Sequence, residues 1–259
     1  MSRITSQRIQ SALVLILLIA IWEATARVFN ISPVLLPAPS AIGERMVELV
    51  ASGQVWPHFV ATTTSVLTGL LAGTLAGLVF GALVAMIPPV ERIVYPYVVA
   101  LQTVPKIAVA PLFLIWFGYG LTSKIVIAAL VCFFPVLVSV IAGYRATDRD
   151  QLEMMRSFGA SPWQTLVRLR LPSALVLIFA GIEIAAVLAV IGAVVGEFVG
   201  AQVGLGYLIT VLNFNLDVAG VFATLIFLSL IGIIIHGAVK FAGRRLVFWV
   251  RNESPPLIT

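Results

Sequence analysis

A stretch of the chain without a single charged side chain, residues 59–90, most constrains how it can fold. Across all 259 residues, 61% are hydrophobic and only 10% are charged, whereas soluble domains carry about 25% charged residues. With so little polar surface, the chain needs lipid as its solvent. At about 20 apolar residues per span plus loops, its length accommodates roughly six transmembrane helices. The sequence therefore predicts an all-α membrane protein.

Five further spans follow from apolar runs that are free or nearly free of charge. They are predicted at residues 9–29, 93–117, 125–144, 173–199 and 218–239. The third span in chain order, 93–117, is expected to be broken by Pro96, Pro105 and Pro111. Arg3 and Arg8 ahead of the first run resemble the start of a signal peptide, but no small-x-small cleavage site follows closely. We therefore expect a retained first span.

The distribution of Lys and Arg predicts which side of the membrane each loop faces. If the N-terminus is inside, the inner regions hold twelve Lys and Arg residues, and the outer regions hold three: Arg27, Arg45 and Lys124. Positive charge concentrates on the cytoplasmic side of membrane proteins. Both termini and the loop 145–172 are therefore expected in the cytoplasm. The net charge of +5 then reflects topology and not binding to nucleic acid.

Small residues recur at every fourth position along the second span. They are Ser65, Gly69, Gly73, Gly77, Gly81 and Ala85, and a shorter series in the fifth span comprises Gly192, Gly196 and Gly200. Residues four apart lie on one helix face, where small side chains let another backbone approach closely. We interpret both series as helix-packing faces and not as ligand sites. The partner helix belongs either to this chain or to a second copy.

A short amphipathic helix is predicted between the first two spans. Pro39 disfavours helix at the residue before it, and Ser40 is expected to cap the helix that follows. The helix should end near Gly53. Its apolar residues fall on one face and are Ile42, Met46, Leu49 and Val50. We expect this helix to lie along the membrane surface on the periplasmic side.

Residues 147–172 have the pattern of a helix–turn–helix, and its first helix has a plausible start. Thr147 and Asp150 are spaced as a capping box. Arg149 and Glu153 stand four residues apart, the spacing at which opposite charges can pair on a helix.

The second half of this loop carries a turn and the start of a second helix. Gly159 suits the left-handed position that ends a helix. Ser161 is placed to cap the next helix, with Pro162 at its first position, where the missing N–H costs nothing. Leu171 and Pro172 are expected to end that helix and turn the chain into the fifth span.

Apolar side chains on this loop predict a docking site. Met154, Met155, Phe158 and Trp163 lie in a region otherwise rich in Arg. Apolar anchors rimmed by charge are typical of protein interfaces. The alternative is that both helices are connectors at the membrane surface.

The same loop resembles the EAA loop of ABC importer permeases. That motif is Glu-Ala-Ala, three residues, Gly, nine residues and Ile-x-Leu-Pro. Here Glu153 precedes two methionines, Gly159 follows at the same distance, and residues 169–172 read Leu-Arg-Leu-Pro. The spacing fits without a gap. The third span and residues 204–206 also resemble the permease branch for nitrate, sulfonate, taurine and bicarbonate, which includes transporters of pyrimidine vitamin precursors and riboflavin.

The resemblance covers roughly residues 10–245 and implies a type I importer permease fold. It implies one permease domain over 1–259, with a core at about 60–245 and a coupling loop at about 145–172. The expected ATPase-coupling residues are Arg149, Glu153, Met154, Met155, Phe158, Gly159, Ala160, Ser161 and Trp163. Of these, Glu153 is expected to make a polar contact with the ATPase, and Gly159 to shape the turn.

The partners that the resemblance implies are a second copy of the permease, two ATP-binding cassette ATPases and an extracytoplasmic solute-binding protein, in the lipid of the bacterial cytoplasmic (inner) membrane. ATP and Mg are expected on the ATPase, and this chain is expected to hold no cofactor. The solute is expected to be a small anion, such as a sulfonate, taurine or nitrate, or a vitamin or pyrimidine precursor.

Ionisable residues inside spans are candidates for the solute path, because they are costly there. Lys106, with Gln102 one turn before it, would suit an anionic solute. The alternative is that Lys106 pairs with Glu183 or Glu23 and holds helices together. Glu183 and Glu197 share roughly one helix face, and Glu197 is expected to reach the outer interface. Three further ionisable residues, expected in loops or at interfaces without a ligand role, are His58, Asp217 and His236.

Sequence motifs for catalysis and metal binding are absent. There is no Gly-x-x-x-x-Gly-Lys-Ser/Thr phosphate loop, so ATP must be bound elsewhere. No catalytic residue or metal site is predicted, and Cys132 is the single cysteine.

The alternative class of protein is an ion-coupled carrier that works without an ATPase and uses Lys106 and Glu183 as a relay. Against it, many carriers are built from paired halves, and no internal repeat is evident here. A membrane scaffold without transport is a third class.

Overall fold

The computed structural model describes residues 2–249, with side chains from residue 9 onward, and this part of the chain is helical without a β-strand. Its helices, in chain order, are α1 (Ser2–Val28), α2 (Pro39–Ala51), α3 (Val55–Met86), α4 (Pro88–Thr103), α5 (Ala110–Phe117), α6 (Leu121–Arg145), α7 (Arg149–Ser157), α8 (Pro162–Thr165), α9 (Leu171–Gly200), α10 (Leu205–Phe214) and α11 (Val218–Leu246). A 3₁₀ turn, Lys106–Val109, precedes α5, and a π-helical segment, Leu166–Arg170, joins α8 to α9. Arg251 and the side chains of Arg3 and Arg8, which the charge count placed inside, lie outside the described residues.

Five helical segments are long and apolar enough to cross a membrane: α1, α3, α6, the continuous run Pro162–Gly200 and α11. A bent pair of apolar helices, Pro88–Thr103 and Lys106–Phe117, meets at an angle of 77°, and counted as one broken span it makes a sixth. The predicted order of the apolar segments is thereby confirmed, and the predicted six spans are reached when the bent pair counts as one. Along α1 most apolar side chains are exposed, among them Leu15 and Ile16, as expected for a helix that faces lipid.

The break in the third span lies at one proline, and the prediction of three breaks is wrong. Pro96 lies inside α4, which continues to Thr103. Transmembrane helices tolerate such a proline because local adjustments re-satisfy the freed carbonyl. Pro111 lies in the first turn of α5, where the absent N–H has no intrahelical partner to lose. The bend therefore falls at Pro105, immediately before the 3₁₀ turn.

The chain forms two compact units. One combines the chain up to Ala61 with residues 202–229, and the other comprises residues 62–201 and the chain from Leu230 onward. Of the three boundaries, those after residues 61 and 229 fall inside the long helices α3 and α11, and the one after residue 201 lies between α9 and α10. The loop 145–172 lies entirely in the second unit.

In the second unit, α6 packs on the small-residue face of α3. A Cβ atom built on Gly69 would lie 2.5 Å from the Cβ of Ala128, and one on Gly77 would lie 2.8 Å from the Cβ of Val136. Side chains cannot approach so closely, so the contact requires glycine at these positions. The partner helix was expected either in this chain or in a second copy. The structure provides one in this chain, which is α6.

Helix α9 also packs on α6 through its own small residues. A Cβ atom on Gly192 would lie 2.9 Å from the Cα of Ala128, and one on Gly196 would lie 3.3 Å from the Cα of Lys124. The buried Cys132 donates its thiol proton to the carbonyl of Ala185 at 3.2 Å. Helix α6 is thus held by close contacts to both α3 and α9.

The end of α6 near the loop 145–172 is fixed to α4. Val98 of α4 and Phe134 of α6 belong to one buried apolar cluster. Beyond it, Arg145 forms an ion pair with Glu91, and its guanidinium lies 4.6 Å from the centre of the Tyr95 ring. Since Arg145 is the last residue of α6, these contacts determine where the loop leaves the helical bundle.

In the first unit, α2 forms as predicted except at its start. Ala38 is extended before Pro39, Ile42 and Leu49 are buried, and the helix stops just before a glycine with φ of +78°. The prediction that Ser40 caps α2 is wrong. Its hydroxyl and its N–H both donate to the carboxylate of Glu23 on α1, at 2.8 and 3.0 Å. A tertiary partner has therefore replaced the local one.

The first unit also contains a helix that hydropathy did not predict. Helix α10 has only ten residues, too few for a span, yet Leu205, Leu208 and Leu212 are buried. Asp217 follows α10 and accepts a hydrogen bond from the N–H of Gly220 at 2.8 Å, in the first turn of α11. The prediction of Asp217 as a loop residue thus holds, and its carboxylate has a structural role there.

Candidate functional site

The loop after α6 begins with a well-formed helix start, but not the one predicted. Asp148 is the N-cap of α7, and its carboxylate accepts a hydrogen bond from the Asp150 N–H at 3.0 Å. Thr147 is buried and donates its hydroxyl proton to the carbonyl of Tyr144. The predicted capping box of Thr147 with Asp150 is therefore wrong, because a neighbouring carboxylate is a stronger acceptor than a hydroxyl.

Glu153 and Arg149 lie on α7 and both are exposed. They form no ion pair with each other or with any other residue that the structure describes, so the predicted helical charge pair is not formed. The carbonyl of Glu153 accepts a hydrogen bond from the Ser157 hydroxyl at 3.0 Å. Its carboxylate points out of the fold and is available to a partner.

The turn between α7 and α8 has the predicted geometry. Gly159 has φ of +67°, and a Cβ atom there would contact nothing within 4 Å. Ser161 and Gln164 form a reciprocal capping box, with side chain and backbone bonded in both directions at 3.2 and 2.8 Å. Ala160 is half-buried between these two features. Position 159 therefore requires glycine because of its backbone conformation and not because of a close neighbour.

The apolar residues of this loop point away from the bundle. The exposed fraction is 81% for Phe158, 70% for Trp163 and 51% for Met154. Met155 is half-buried on the inner side of α7. We call the exposed group formed by Met154, Phe158 and Trp163 the apolar knob. Single exposed apolar side chains are common, but three large ones on one short loop are typical of a contact surface.

The helix that carries Trp163 of the knob runs into the membrane-spanning helix α9 without a break. The prediction that Leu171 and Pro172 end the second loop helix is wrong, since helical backbone continues from Pro162 to Gly200. At Leu166–Arg170 the chain takes π-helical turns, and the Leu171 N–H bonds to the carbonyl of Leu166. The wider turn absorbs the proline that follows, as local π adjustments do elsewhere.

The candidate path residues at the broken span do not form the predicted ion pairs. Lys106 is half-buried; its Nζ donates to the backbone carbonyl of Gln102 at 2.7 Å and lies 4.7 Å from the centre of the Phe134 ring. Among described residues it has no carboxylate partner. Glu183 is half-buried in α9 and likewise unpaired there. The alternative pairing of Lys106 with Glu183 is therefore wrong in the described part of the chain, and Glu23 pairs with Arg27.

Glu197 lies inside the bundle, and its predicted position at the outer interface is wrong. It is 1% exposed and accepts a hydrogen bond from the hydroxyl of Thr62 at 2.8 Å. Lys124, 4% exposed in the first turn of α6, interacts electrostatically with it. The three residues come from α3, α6 and α9, at the end of the second unit opposite the knob.

Two other predicted ionisable residues have structural partners. Glu23 pairs with Arg27 one turn later as well as with Ser40, in keeping with the packing role predicted for it. His58 accepts a hydrogen bond at Nδ1 from the Gly204 N–H at 3.1 Å and stacks on Tyr207.

Two further ionisable residues are His236 on α11 and Arg45 on α2. Within the described part of the chain, Nδ1 of His236 is buried and lacks a hydrogen-bond partner. Arg45 lies outside the spans and binds Glu48 and Asp217 at 2.8 and 2.7 Å, and these bonds raise the pKa of its guanidinium. No group of three or more His, Cys, Asp or Glu that could hold a metal ion occurs among the described residues.

Comparison with known proteins identifies the family of the chain. Residues 69–248 match the family described as binding-protein-dependent transport system inner membrane component. The formylaminopyrimidine transport permease of Halalkalibacterium halodurans is 38% identical over 95% of this chain and 98% of that protein. The riboflavin transport system permease of Chloroflexus aurantiacus is 36% identical over 91% of this chain and 88% of that protein. The taurine transport system permease of Escherichia coli is 30% identical over 91% and 87%.

A solved structure shares the fold. An inward-facing conformation of the MetNI methionine ABC transporter matches with a TM-score of 0.65 and 20% identity, over 75% of this chain and 98% of that chain. Together with the six spans and the family match, this agreement identifies a multi-pass inner-membrane permease with the helical architecture predicted from the sequence. The chain belongs to the family of binding-protein-dependent transport system inner membrane components.

Proposed function

We propose that this chain is the permease subunit of an ATP-driven importer, and that the loop 145–172 couples it to a separate ATPase. The observation that carries the proposal is the apolar knob, which is exposed on a polar, arginine-rich loop. An aromatic group of this kind gains free energy when a partner covers it. Glu153, exposed and unpaired beside the knob, supplies a polar contact at the rim.

The continuity of the backbone supports the knob as a mechanical element. Helical structure extends from Pro162 through α9, and α9 packs against α6 through backbone contacts at Gly192. A displacement of Trp163 is therefore passed to α9 along continuous helical backbone and not absorbed by a linker. ATP binding that draws two ATPases together would move both knobs and switch the solute path between its two orientations.

The solute path is proposed to lie between two copies of the permease. Gln102 and Lys106 flank the bend in the third span, where the backbone is interrupted. Non-helical backbone at membrane depth is tolerated where it lines a cavity or is buried in protein. Lys106 has no carboxylate partner among the described residues, so its charge is available to an anionic solute.

The proposed solute is a small anion or a vitamin or pyrimidine precursor, delivered by an extracytoplasmic binding protein. The relatives with the higher identities, named for formylaminopyrimidine and riboflavin transport, favour a nitrogen heterocycle. The taurine and sulfonate permeases, at 30% and 32% identity, represent the anionic alternative.

Co-purification tests the coupling. The permease and a candidate ATPase are expressed together, and the ATPase retained on the tagged permease is measured, as is its ATP hydrolysis in the presence of binding protein and solute. Glu153→Ala should lose both retention and stimulated hydrolysis. The matched control is Glu44→Ala, an exposed glutamate on α2, which should retain both. An ion-coupled carrier would instead transport solute without any ATPase, and the loop variants would have no effect.

A further inference from the structure

A cavity of about 420 Å³ lies behind the apolar knob, where the ends of α3 and α6 meet the loop. Its volume is within the range of small-molecule sites. Its charged lining comes from Arg156 on α7 and Arg170 just before α9, and its walls include Met86, Leu152 and Leu166. No acidic residue is among the described residues that line it. Two positive charges thus face an apolar pocket without a counter-charge.

Arg170 has an unused donor in this cavity. One of its terminal nitrogens donates to the hydroxyl of Tyr144, and the guanidinium stacks on that ring at 4.4 Å. Its Nε is buried and has no hydrogen-bond partner in the described part of the chain. A buried donor left unpaired is costly, so a rotation of the Arg170 side chain that brings this N–H to an acceptor oxygen in the cavity would be favoured.

Arg156 supplies the second positive charge. Its side chain is exposed and forms no ion pair with any residue that the structure describes. Two guanidinium groups that converge on one cavity match the several oxygens of a phosphate, because each presents its N–H groups as a planar fork.

We propose that this cavity binds the phosphate headgroup of an anionic phospholipid, with Arg156 and Arg170 on the phosphate and the wall of Met86, Leu152 and Leu166 along the upper acyl chain. The position at the ends of the spans places the cavity at the membrane–water boundary. Five arginines and three acidic residues lie between residues 145 and 170, which leaves a net charge of +2. A net positive charge next to a transmembrane helix attracts anionic lipid.

The ligand is distinguished from free phosphate by its apolar part. Inorganic phosphate would use the two arginines but leave the wall of Met86 and Leu166 uncovered. A phospholipid uses both, so it should bind more tightly than phosphate and should not be displaced by it at equal concentration. Binding to the isolated permease requires no ATPase, so this inference stands or fails independently of the proposed coupling.

Native mass spectrometry of the full-length permease in neutral detergent tests the site. Short-chain phosphatidylglycerol and phosphatidylcholine are titrated separately, and the retained lipid is counted. Wild type should retain phosphatidylglycerol in preference to phosphatidylcholine. Arg156→Gln and Arg170→Gln should each weaken that retention by about tenfold, the effect of one charged hydrogen bond. Arg168→Gln removes a neighbouring, exposed arginine that does not line the cavity, and it should leave retention unchanged.

Three results would overturn the inference. Equal retention of the two lipids would show no headgroup selectivity. An equal loss in Arg168→Gln and Arg156→Gln would mean that the loop attracts lipid only by its total charge. Displacement of the lipid by inorganic phosphate at equal concentration would assign the site to a free anion. Arg156→Gln is the decisive variant, because its exposed, unpaired side chain is not needed for folding.

Discussion

The hydroxyl of Thr62 donates a hydrogen bond to the carboxylate of Glu197 at 2.8 Å, and both side chains are buried, at 0% and 1% exposure. The bond joins α3 to α9, and Lys124 on α6 contributes a nearby positive charge. A carboxylate inside an apolar bundle is stabilised only by such partners. The three residues therefore act together to hold the end of the second unit opposite the loop 145–172.

Removal of this carboxylate should destabilise the permease strongly. Glu197→Ala leaves Lys124 buried without its counter-charge and should cost about 3 kcal/mol of unfolding free energy. Thr62→Val removes one hydrogen bond and should cost about 0.6–1.7 kcal/mol, the range found between transmembrane helices. Thermal unfolding in detergent measures both. As a control, Glu183→Ala removes a half-buried, unpaired glutamate of the same helix and should have a much smaller effect. Wild-type stability of Glu197→Ala would contradict the account.

The contact between α3 and α6 should not tolerate a side chain at its centre. In Gly77→Val, the new Cβ would begin 2.8 Å from that of Val136, so the helices must separate. We expect a loss of about 1–3 kcal/mol, typical of overpacking, or aggregation on size-exclusion chromatography. Gly237→Val, at a helical position with nothing within 4 Å, is the control and should elute as wild type does. Identical behaviour of the two variants would mean that α6 is not the partner of this face.

Asp217 has two structural roles that paired variants separate. It binds Arg45 at 2.7 Å and caps α11 through the Gly220 N–H at 2.8 Å. Asp217→Asn keeps a capping oxygen but loses the charge, and it should cost about 0.2–1 kcal/mol. Asp217→Ala loses the cap as well, which adds about 1 kcal/mol. Thermal unfolding should therefore show a lower stability for Asp217→Ala than for Asp217→Asn. Equal unfolding temperatures would show that Asp217 does not cap α11.

Gly159 should be replaceable only by residues that accept its backbone conformation. With φ of +67° and open space around its Cβ position, Gly159→Ala should cost about 1–2 kcal/mol from the left-handed conformation alone. Gly159→Asn should cost less, since asparagine adopts that conformation more readily. The cost is local, so it should appear as faster tryptic cleavage after Arg156 and weaker ATPase retention. Equal cleavage rates for both variants and wild type would show that the turn does not depend on glycine.

Much of the architecture was predictable because each span is a local property of the sequence. Hydropathy located all six spans, and charge-free windows such as 59–90 fell close to the ends of their helices. The turn at Gly159 and the capping box at Ser161 were predictable for the same reason, since residues within four positions determine them.

Several of the errors share a cause, which is that a partner distant in sequence decided the outcome. Ser40 was expected to cap its own helix but is bound by Glu23 of α1. Glu197 was expected at the outer interface, but the packing of α9 against α6 buries it near Lys124. The charge balance of a span does not reveal which other span will neutralise it.

Photocrosslinking from the knob tests the central claim most directly. The one native cysteine, Cys132, is buried, so a benzophenone maleimide on Phe158→Cys labels a single defined position. Phe214→Cys is the matched control, because Phe214 is equally exposed, at 82% against 81%, but lies at the end of α10. Illumination of the permease with its ATPase should crosslink the ATPase from position 158 and not from 214. Crosslinking from both positions alike, or none from 158, would contradict the proposed docking of the loop.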